Sequence, residues 1–477
     1  MMDSYIARRR LAPAFVAAAV LAVGLMACNA DKFLKVTDPD VAVPLALAGK
    51  AALPTLRAGA IGNFGVAFNG DQSVSDEEQV DLAALLTDEY INTETFPTRI
   101  EIDRRAQTLT NGSLTGTFFD LTRARASAEF AISAFDTLAK NASDSTGYPE
   151  LLALNGLTYV LFAENYCGAV PVSTQNRDGT FTFGAGEATN TLLDSAISKA
   201  NKALSITGAS LTDEFKFLAQ VTKGRALLDQ GIDFAAAATA VAGVPTTFQY
   251  NYQHSATTTR QNNGDWGLTV SVGRFGVADR EGGVGLPFQS DGDVNALGPA
   301  ADPRVADTVA NRNGGDDTGF DGATVQFVQM KYPDRASPAT IADGVEARLI
   351  EAEATLKAGN AAGALTILNA LRSNGALLAL RGYPANSLPP LTLQVGTAAQ
   401  VDQLFKERAY WLFLTSHRLG DLRRLIRQYG RTANSVFPNG PYFKQGGVYG
   451  TDVNSPVPQQ EQNNPKYIAG SCLKDQA

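Results

Sequence analysis

The sequence predicts a mainly α fold, with helical hairpins packed into one large domain that carries long irregular loop insertions and a few short strands. Three observations carry this expectation. Several stretches keep an apolar face at spacings of three and four residues. Two pairs of such stretches are joined by short turns led by glycine, at Gly231 and Gly359. Between the pairs, Val244 to Asp334 is rich in Gly, Asn, Asp, Thr and aromatics, which reads as loops with occasional strands. A chain of 477 residues, 44% hydrophobic and 18% charged, suits a folded protein with a sizeable core.

In chain order, Arg8, Arg9 and Arg10 precede an uncharged apolar run that ends at Cys28. Basic, then apolar, then small is the order of a secretory signal peptide, here residues 1–27. The last four letters, Leu25-Met26-Ala27-Cys28, resemble a bacterial lipobox, which implies cleavage before Cys28 and acylation of that residue. Two or more acyl chains anchor a protein stably where one binds only marginally. A transmembrane helix is the competing reading, but Asn29, Asp31 and Lys32 follow at once without a stop-transfer cluster. Residues 28–44, with Pro39 and Pro44, read as a tether, and 45–477 as the folded domain.

Leu121, Ala124, Ala128, Ala131, Ile132, Phe135 and Leu138 predict a helix over Asp120 to Ala139. Leu151 to Glu164 repeats the pattern, with a stop near Gly168 before Val170-Pro171. The first hairpin runs from Phe215–Gln230 through Gly231-Ile232-Asp233 into Phe234–Val241; the second runs from Asp343–Ala358 through Gly359-Asn360 into Ala361–Arg372. Ala226 and Ala354 each stand five positions before the turn glycine. A small residue at the crossing and a glycine at the C-cap are what tetratricopeptide-like hairpins need. Asn92 to Gly116 and the chain from Arg431 onward read as irregular.

The formal charge is −8; residues 1–27 hold Asp3 and three arginines, a net +2, which leaves −10 for the remainder. An acidic body without a basic stripe argues against nucleic acid. Catalysis is not expected. The two histidines, His254 and His417, are far apart in sequence, and no nucleophile elbow, phosphate-cradling loop or Cys-x-x-Cys pair occurs. The pairs Asp88-Glu89 and Asp316-Asp317 read as solvated acids rather than glycosidase carboxylates. No cofactor and no metal-ligand set is predicted. With Cys28 taken by the anchor, Cys167 and Cys472 remain; in an exported chain they are expected to pair, the alternative being two buried thiols.

Trp411 falls in a strongly apolar helix and reads as core. Trp266 falls in a Gly/Asn loop near Tyr250, Tyr252 and Phe275. Flat, partly exposed rings stack on the C–H face of a sugar, so Trp266, with Tyr250 and Tyr252 behind it, is the candidate ligand contact. The alternative is a ring tucked against its own scaffold, which would move the site toward Asn92 to Gly116.

Three segments in order carry a resemblance. They are Val345-Glu346-Ala347-Arg348-Leu349-Ile350-Glu351-Ala352-Glu353-Ala354 with its Gly359-Asn360 turn and Leu368-Asn369-Ala370-Leu371-Arg372; Leu404-Phe405-Lys406-Glu407-Arg408 followed by His417-Arg418-Leu419-Gly420-Asp421-Leu422-Arg423-Arg424; and Pro456-Val457-Pro458-Gln459-Gln460-Glu461 with Asn463-Asn464-Pro465. Together with Asp302-Pro303-Arg304 and Gly168-Ala169-Val170-Pro171, they resemble the SusD/RagB family of nutrient-uptake outer-membrane lipoproteins. The match is dense between Asp343 and Pro465, in the C-terminal region 343–477, and thin in the loops, among them the ligand-side insertion 245–334. The resemblance implies a helical scaffold whose loops bind a glycan or peptide. It also implies a SusC-like TonB-dependent transporter as partner, and a lipid-anchored place on the outer membrane facing outside. A periplasmic tetratricopeptide-type scaffold lipoprotein that binds proteins is the alternative. The arginines of the second segment, with Glu407 and Asp421, read as buried ion pairs stapling helix to tail.

Overall fold

The computed structural model describes residues 49–477 apart from 74–76, 140–144, 177, 179, 312–314 and 445. By internal contacts the chain divides into residues 1–52 and 53–477, and the elements named below belong to the second unit. The signal peptide 1–27, Cys28 and the tether 28–44 lie outside the described residues, as do Asn313 and Gly314.

Apolar periodicity builds the helices, and packing sets their ends. Helix α1 (Leu53–Asn69) lies against the long α4 (Gly112–Leu138), with α2 (Gln79–Leu86), strand β1 (Tyr90–Asn92) and α3 (Pro97–Asp103) between them in sequence. Then α5 (Tyr148–Asn165) packs on α6 (Thr189–Leu204), α6 on α7 (Asp213–Gln230), and α7 on α8 (Phe234–Val241). The predicted first hairpin is therefore α7–α8. Gly231 takes the left-handed conformation at its C-cap (φ 67°), and the Asp233 carboxylate caps α8 by accepting from the Ala236 N–H. The crossing is closest at Gly224, where a Cβ would come within 2.4 Å of Val241 Cγ1; Ala226 is buried beside it.

Helix α8 packs next on α9 (Gly344–Lys357), which forms the second predicted hairpin with α10 (Ala361–Arg372). About a hundred residues separate α8 from α9. They leave and re-enter the scaffold through an antiparallel ribbon of β2 (Gln249–Tyr252) and β6 (Ala339–Asp343), with Tyr252 opposite Ala339 and Gln249 opposite Asp343. Inside the insertion, β3 (Phe275–Val277) pairs with β1, and β4 (Asp307–Val309) pairs with β5 (Phe327–Gln329), among short helical turns. Helices α11 (Gly375–Leu380), α12 (Thr397–Trp411) and α13 (Arg418–Tyr429) follow, and an irregular tail ends the chain. The mainly α class with short strands matches the sequence expectation.

Two expectations need correction. Asn92 to Gly116 is not irregular: it holds the end of β1, all of α3 and the start of α4. Helix α3 spans only seven residues, too few to display a period, and its signal is Pro97 in the first turn. Helix α4 begins at Gly112 rather than Asp120, capped by the Asn111 side chain accepting from the Leu114 N–H; burial of Leu114, Thr117 and Phe118 outweighs the poor helix propensity of Gly112, Ser113, Thr115 and Gly116. The second correction concerns the arginine-rich helix. Its residues are buried, but their partners lie on α7, α9, α12, α13, the end of α5 and the turn after α2 rather than in the tail. Arg408 and Arg424 meet on Asp421, Arg418 makes a two-pronged pair with Asp88, and Arg423 donates to the carbonyls of Ala163, Glu164 and Tyr166. Glu407 instead bridges Arg304 and Arg372.

Candidate ligand-binding site

Where β1 ends, three loops meet, and each presents a phenylalanine. Phe96 precedes α3. Phe320 lies on the hairpin closed by the Thr318–Val325 bridge, and Phe443 on the hairpin closed by the Pro441–Val448 bridge. Their exposures of 47%, 50% and 46% leave half of each ring in solvent. One exposed apolar side chain is ordinary; three on loops that meet at one strand end make this end the candidate surface.

The loops are fixed by backbone and charge. The Phe320 N–H donates to the Gly273 carbonyl at 2.8 Å and the Asp321 N–H to the Thr93 carbonyl at 3.0 Å. Residue 319 must be glycine, since a Cβ there would sit 2.4 Å from Thr93 Cβ. Asp321 folds the tip by accepting from the Ala323 and Thr324 N–H groups at 2.9 and 2.8 Å. The Lys444 ammonium then joins all three loops. It donates to Asn92 Oδ1 at 3.0 Å and to the Glu94 carbonyl, and pairs with Asp321 Oδ2 at 2.6 Å. Burial alone would raise the Asp321 carboxyl, but hydrogen bonds from Lys444 and the turn hold it below its ordinary value.

Between two of the rings stands Arg274, its guanidinium carbon 4.7 Å from the Phe96 centroid and 4.5 Å from that of Phe320. Arg274 donates to Glu94 Oε2 at 2.5 Å; Arg99 holds the other oxygen at 3.0 Å and itself lies 5.4 Å from the Phe96 centroid. Glu94 is fully buried, so this cation stack is pinned from beneath. Each cation–π contact contributes about 0.5–1 kcal/mol at partly exposed sites, and rings held this way lose little freedom when a ligand stacks on them.

The residues singled out in the sequence lie elsewhere. Tyr250 is 6% exposed and its hydroxyl donates to Glu150 at 2.6 Å, so it is a core residue with no face for a ligand; its β-strand position turns it inward. Tyr252 is half-buried, with its ring over Gly65, where a Cβ would meet it at 2.1 Å, and its edge against His254. Trp266 is half-buried against the core in a short helical turn capped by Asn263, and the Arg335 guanidinium lies 5.1 Å from its ring centroid. Phe275 is buried, and Trp411 is core as its helix predicts. The insertion contributes Phe320 and Arg274, Phe96 lies in Asn92 to Gly116, and Phe443 lies in the segment from Arg431 onward, where no sequence signal marks it. Each stands beside turn-forming residues, but so does Trp266, and sequence cannot tell which loop ring is covered.

His417 Nε2 faces Glu346 Oε1 at 3.2 Å and its Nδ1 lies 2.8 Å from Thr415 Oγ1, while His254 Nδ1 lies 3.2 Å from the Gln261 carbonyl oxygen. Both histidines are buried, and burial lowers both pKa values, His254 to about 4. Asp88 and Glu89 are not solvated: Asp88 binds Arg418, and Glu89 accepts from the Leu414 N–H at 3.0 Å. Burial pushes the Glu89 carboxyl up to about 8. Asp316 and Asp317 are exposed, as expected. Cys167 and Cys472 are disulfide-bonded, with Cα atoms 5.3 Å apart.

No protein-family model and no curated protein matches the sequence. Solved structures do match. A SusD superfamily protein from Bacteroides thetaiotaomicron superposes with a TM-score of 0.62 over 87% of this chain and 99% of its own, at 14% identity. The chain has the SusD-like fold. NanU of B. fragilis shares this fold at TM-score 0.59 and 12% identity, covering 92% of this chain and 99% of its own. A laminarin-binding SusD-like protein matches at TM-score 0.57 and 14% identity, over 88% of this chain and 98% of its own. These three SusD-like neighbours align over 98–99% of their own length.

Proposed function

We propose that this protein is a SusD/RagB-type surface lipoprotein that binds a glycan and passes it to a SusC-like TonB-dependent transporter of the outer membrane. The observation that carries the reading is the pair of half-exposed rings at Phe96 and Phe320 held on Arg274, with half-exposed Phe443 on a third loop that Lys444 ties to theirs, on a SusD-like frame. Phenylalanine has no polar edge, so these rings would take the apolar face of sugar rings while neighbouring Asn and Asp groups read hydroxyls. The laminarin-binding neighbour supports a carbohydrate over a peptide. A gathered aromatic surface also favours a ligand binder over a periplasmic protein scaffold, which would present an open helical groove instead.

Loss of one stacking ring costs about 1–3 kcal/mol by analogy with other aromatic platforms. Phe320→Ala should therefore weaken binding roughly ten- to hundredfold while the melting temperature holds. Array screening of the chain lacking residues 1–28 against glycans and peptides, then calorimetry on the best hit, measures this. Unchanged affinity in both Phe320→Ala and Phe96→Ala would remove these loops from the site.

Membrane attachment rests on the order of basic, apolar and small residues before Cys28. Cys28→Ser should leave an uncleaved or soluble product in detergent-phase partitioning, and partitioning into detergent at the wild-type level would rule out lipid on this residue.

A further inference from the structure

Away from the aromatic loops, three carboxylates meet in the interior: Glu78, just before α2, Asp81 in its first turn, and Asp265 from the insertion. One oxygen from each lies within 4.8 Å of the other two. All three side chains are at most 1% exposed. Among the described residues no Lys, Arg or His pairs with any of them. Nearby cations are engaged elsewhere, Arg99 with Glu77 and Glu94, and Lys331 with the Phe413 carbonyl.

A second observation separates this cluster from an ordinary acidic patch. Apart from the acids of the cluster themselves, no hydrogen-bond donor among the described residues reaches any of the four oxygens of Glu78 and Asp81, although these side chains are buried and turned toward Asp265. Asn69 ends α1 with its backbone packed against Gly264, and among the described residues neither atom of its buried amide has a partner. Asp265, by contrast, is firmly oriented. The Tyr90 hydroxyl donates to it at 3.0 Å, and Gln329 Nε2 and Thr269 Oγ1 donate at 3.1 and 3.3 Å. An acid held from behind, facing two acids without donors, is how outer groups position ligands around a metal ion. Unpaired buried charge is too costly to persist, so the carboxylates either face a cation or hold protons.

We propose that Glu78, Asp81 and Asp265 bind one calcium ion that ties α2 to the loop-rich insertion. The donor set is all oxygen, as hard cations require, with no nitrogen or sulfur to favour zinc. Calcium–oxygen distances of about 2.3–2.6 Å place opposite ligands roughly 4.8 Å apart, so the three oxygens fit around one ion; the shorter bonds of magnesium need a tighter cluster. A divalent ion leaves a residual charge of about −1 in place of three bare carboxylates.

Metal analysis of the purified chain lacking residues 1–28, after dialysis against metal-free buffer, should find one calcium per molecule. Removal by EDTA should lower the melting temperature by roughly 4 °C. Added calcium chloride should restore it, with magnesium chloride much less effective at equal concentration. Asp81→Asn should lose the ion and become insensitive to EDTA; if it fails to fold, Glu78→Gln and the wild-type metal content carry the test. A chain without bound metal, whose melting temperature is the same in EDTA and in calcium, would overturn the proposal and leave a proton-sharing cluster. Retention of calcium by both variants would place the ion elsewhere and overturn it too.

Discussion

Arg424→Met is expected to cost about 3–5 kcal/mol of folding stability, because it removes the central cation from a group of buried carboxylates. Arg424 has no solvent exposure. Its guanidinium pairs with Glu353, with Asp421 Oδ1 at 2.7 Å and with Asp229 Oδ1 at 3.2 Å, and lies 5.3 Å from the Phe405 ring centroid. Arg408 is the other cation on this set, 2.9 Å from Asp421 Oδ2. Methionine has similar reach but no charge, so the acids of α7, α9 and α13 would face one another with a single arginine among them. Burial would raise the Asp421 carboxyl, yet Arg408 and Arg424 hold it well below its ordinary range. A depressed carboxyl stabilises the fold above the unfolded pKa of about 4 and loses that contribution as pH falls toward the depressed value, so the deficit of the variant should narrow in acid. Unfolding entropy of about 2 cal/mol/K per residue makes 1 kcal/mol worth roughly 1 °C in a chain of this size. Thermal and urea unfolding at pH 7 should thus show a fall of about 3–5 °C and a lower midpoint at an unchanged urea slope. Arg424→Lys should recover only part, since an ammonium cannot match three acids with a planar fork. Wild-type stability in Arg424→Met would mean that the network is energetically neutral.

The second large effect belongs to the Cys167–Cys472 bond. It closes a loop of 305 residues, and tying so long a loop restricts the unfolded chain by about 6 kcal/mol in the chain-entropy account; residual denatured-state structure brings measured values nearer 2–4 kcal/mol. The bond ties the segment just after α5 to the final residues. Beside it the Cys167 N–H donates to the Ser455 carbonyl at 2.9 Å and the Val453 N–H to the Lys474 carbonyl at 2.8 Å. Cys167→Ser with Cys472→Ser should lower the melting temperature by roughly 3–5 °C and expose the tail to proteolysis first. Two thiols freely alkylated without reductant, in protein exported to an oxidising compartment, would show that the pair does not form there.

Much of the scaffold was legible because helix periodicity, C-cap glycines and capping Asp or Asn side chains are local signals. Gly231, Asp233, Gly359 and Asn360 marked both hairpins within a residue or two of their observed turns. Helix α3 and the first turns of α4 were not legible. Seven residues carry no period, and the buried partners that make Gly112–Gly116 helical come from distant parts of the chain. The arginines of α13 were recognised as buried ion-pair formers from their density beside acids, but their partners, Asp88, Glu353 and Asp229, lie 71 to 330 positions away. Spacing says nothing about such pairs.

By itself, then, the sequence determined the helical class, the two hairpins, the loop-rich insertion between them and the resemblance to SusD/RagB lipoproteins. Only the tertiary structure decided which aromatics meet solvent. Tyr250 turns into the core against Glu150, whereas Phe96, Phe320 and Phe443 stand out because Lys444 and Arg274 gather three distant loops at one strand end. The reason is physical. Helix and turn formation depend on residues a few positions apart, whereas the exposure of a loop side chain depends on whatever distant segment happens to cover it.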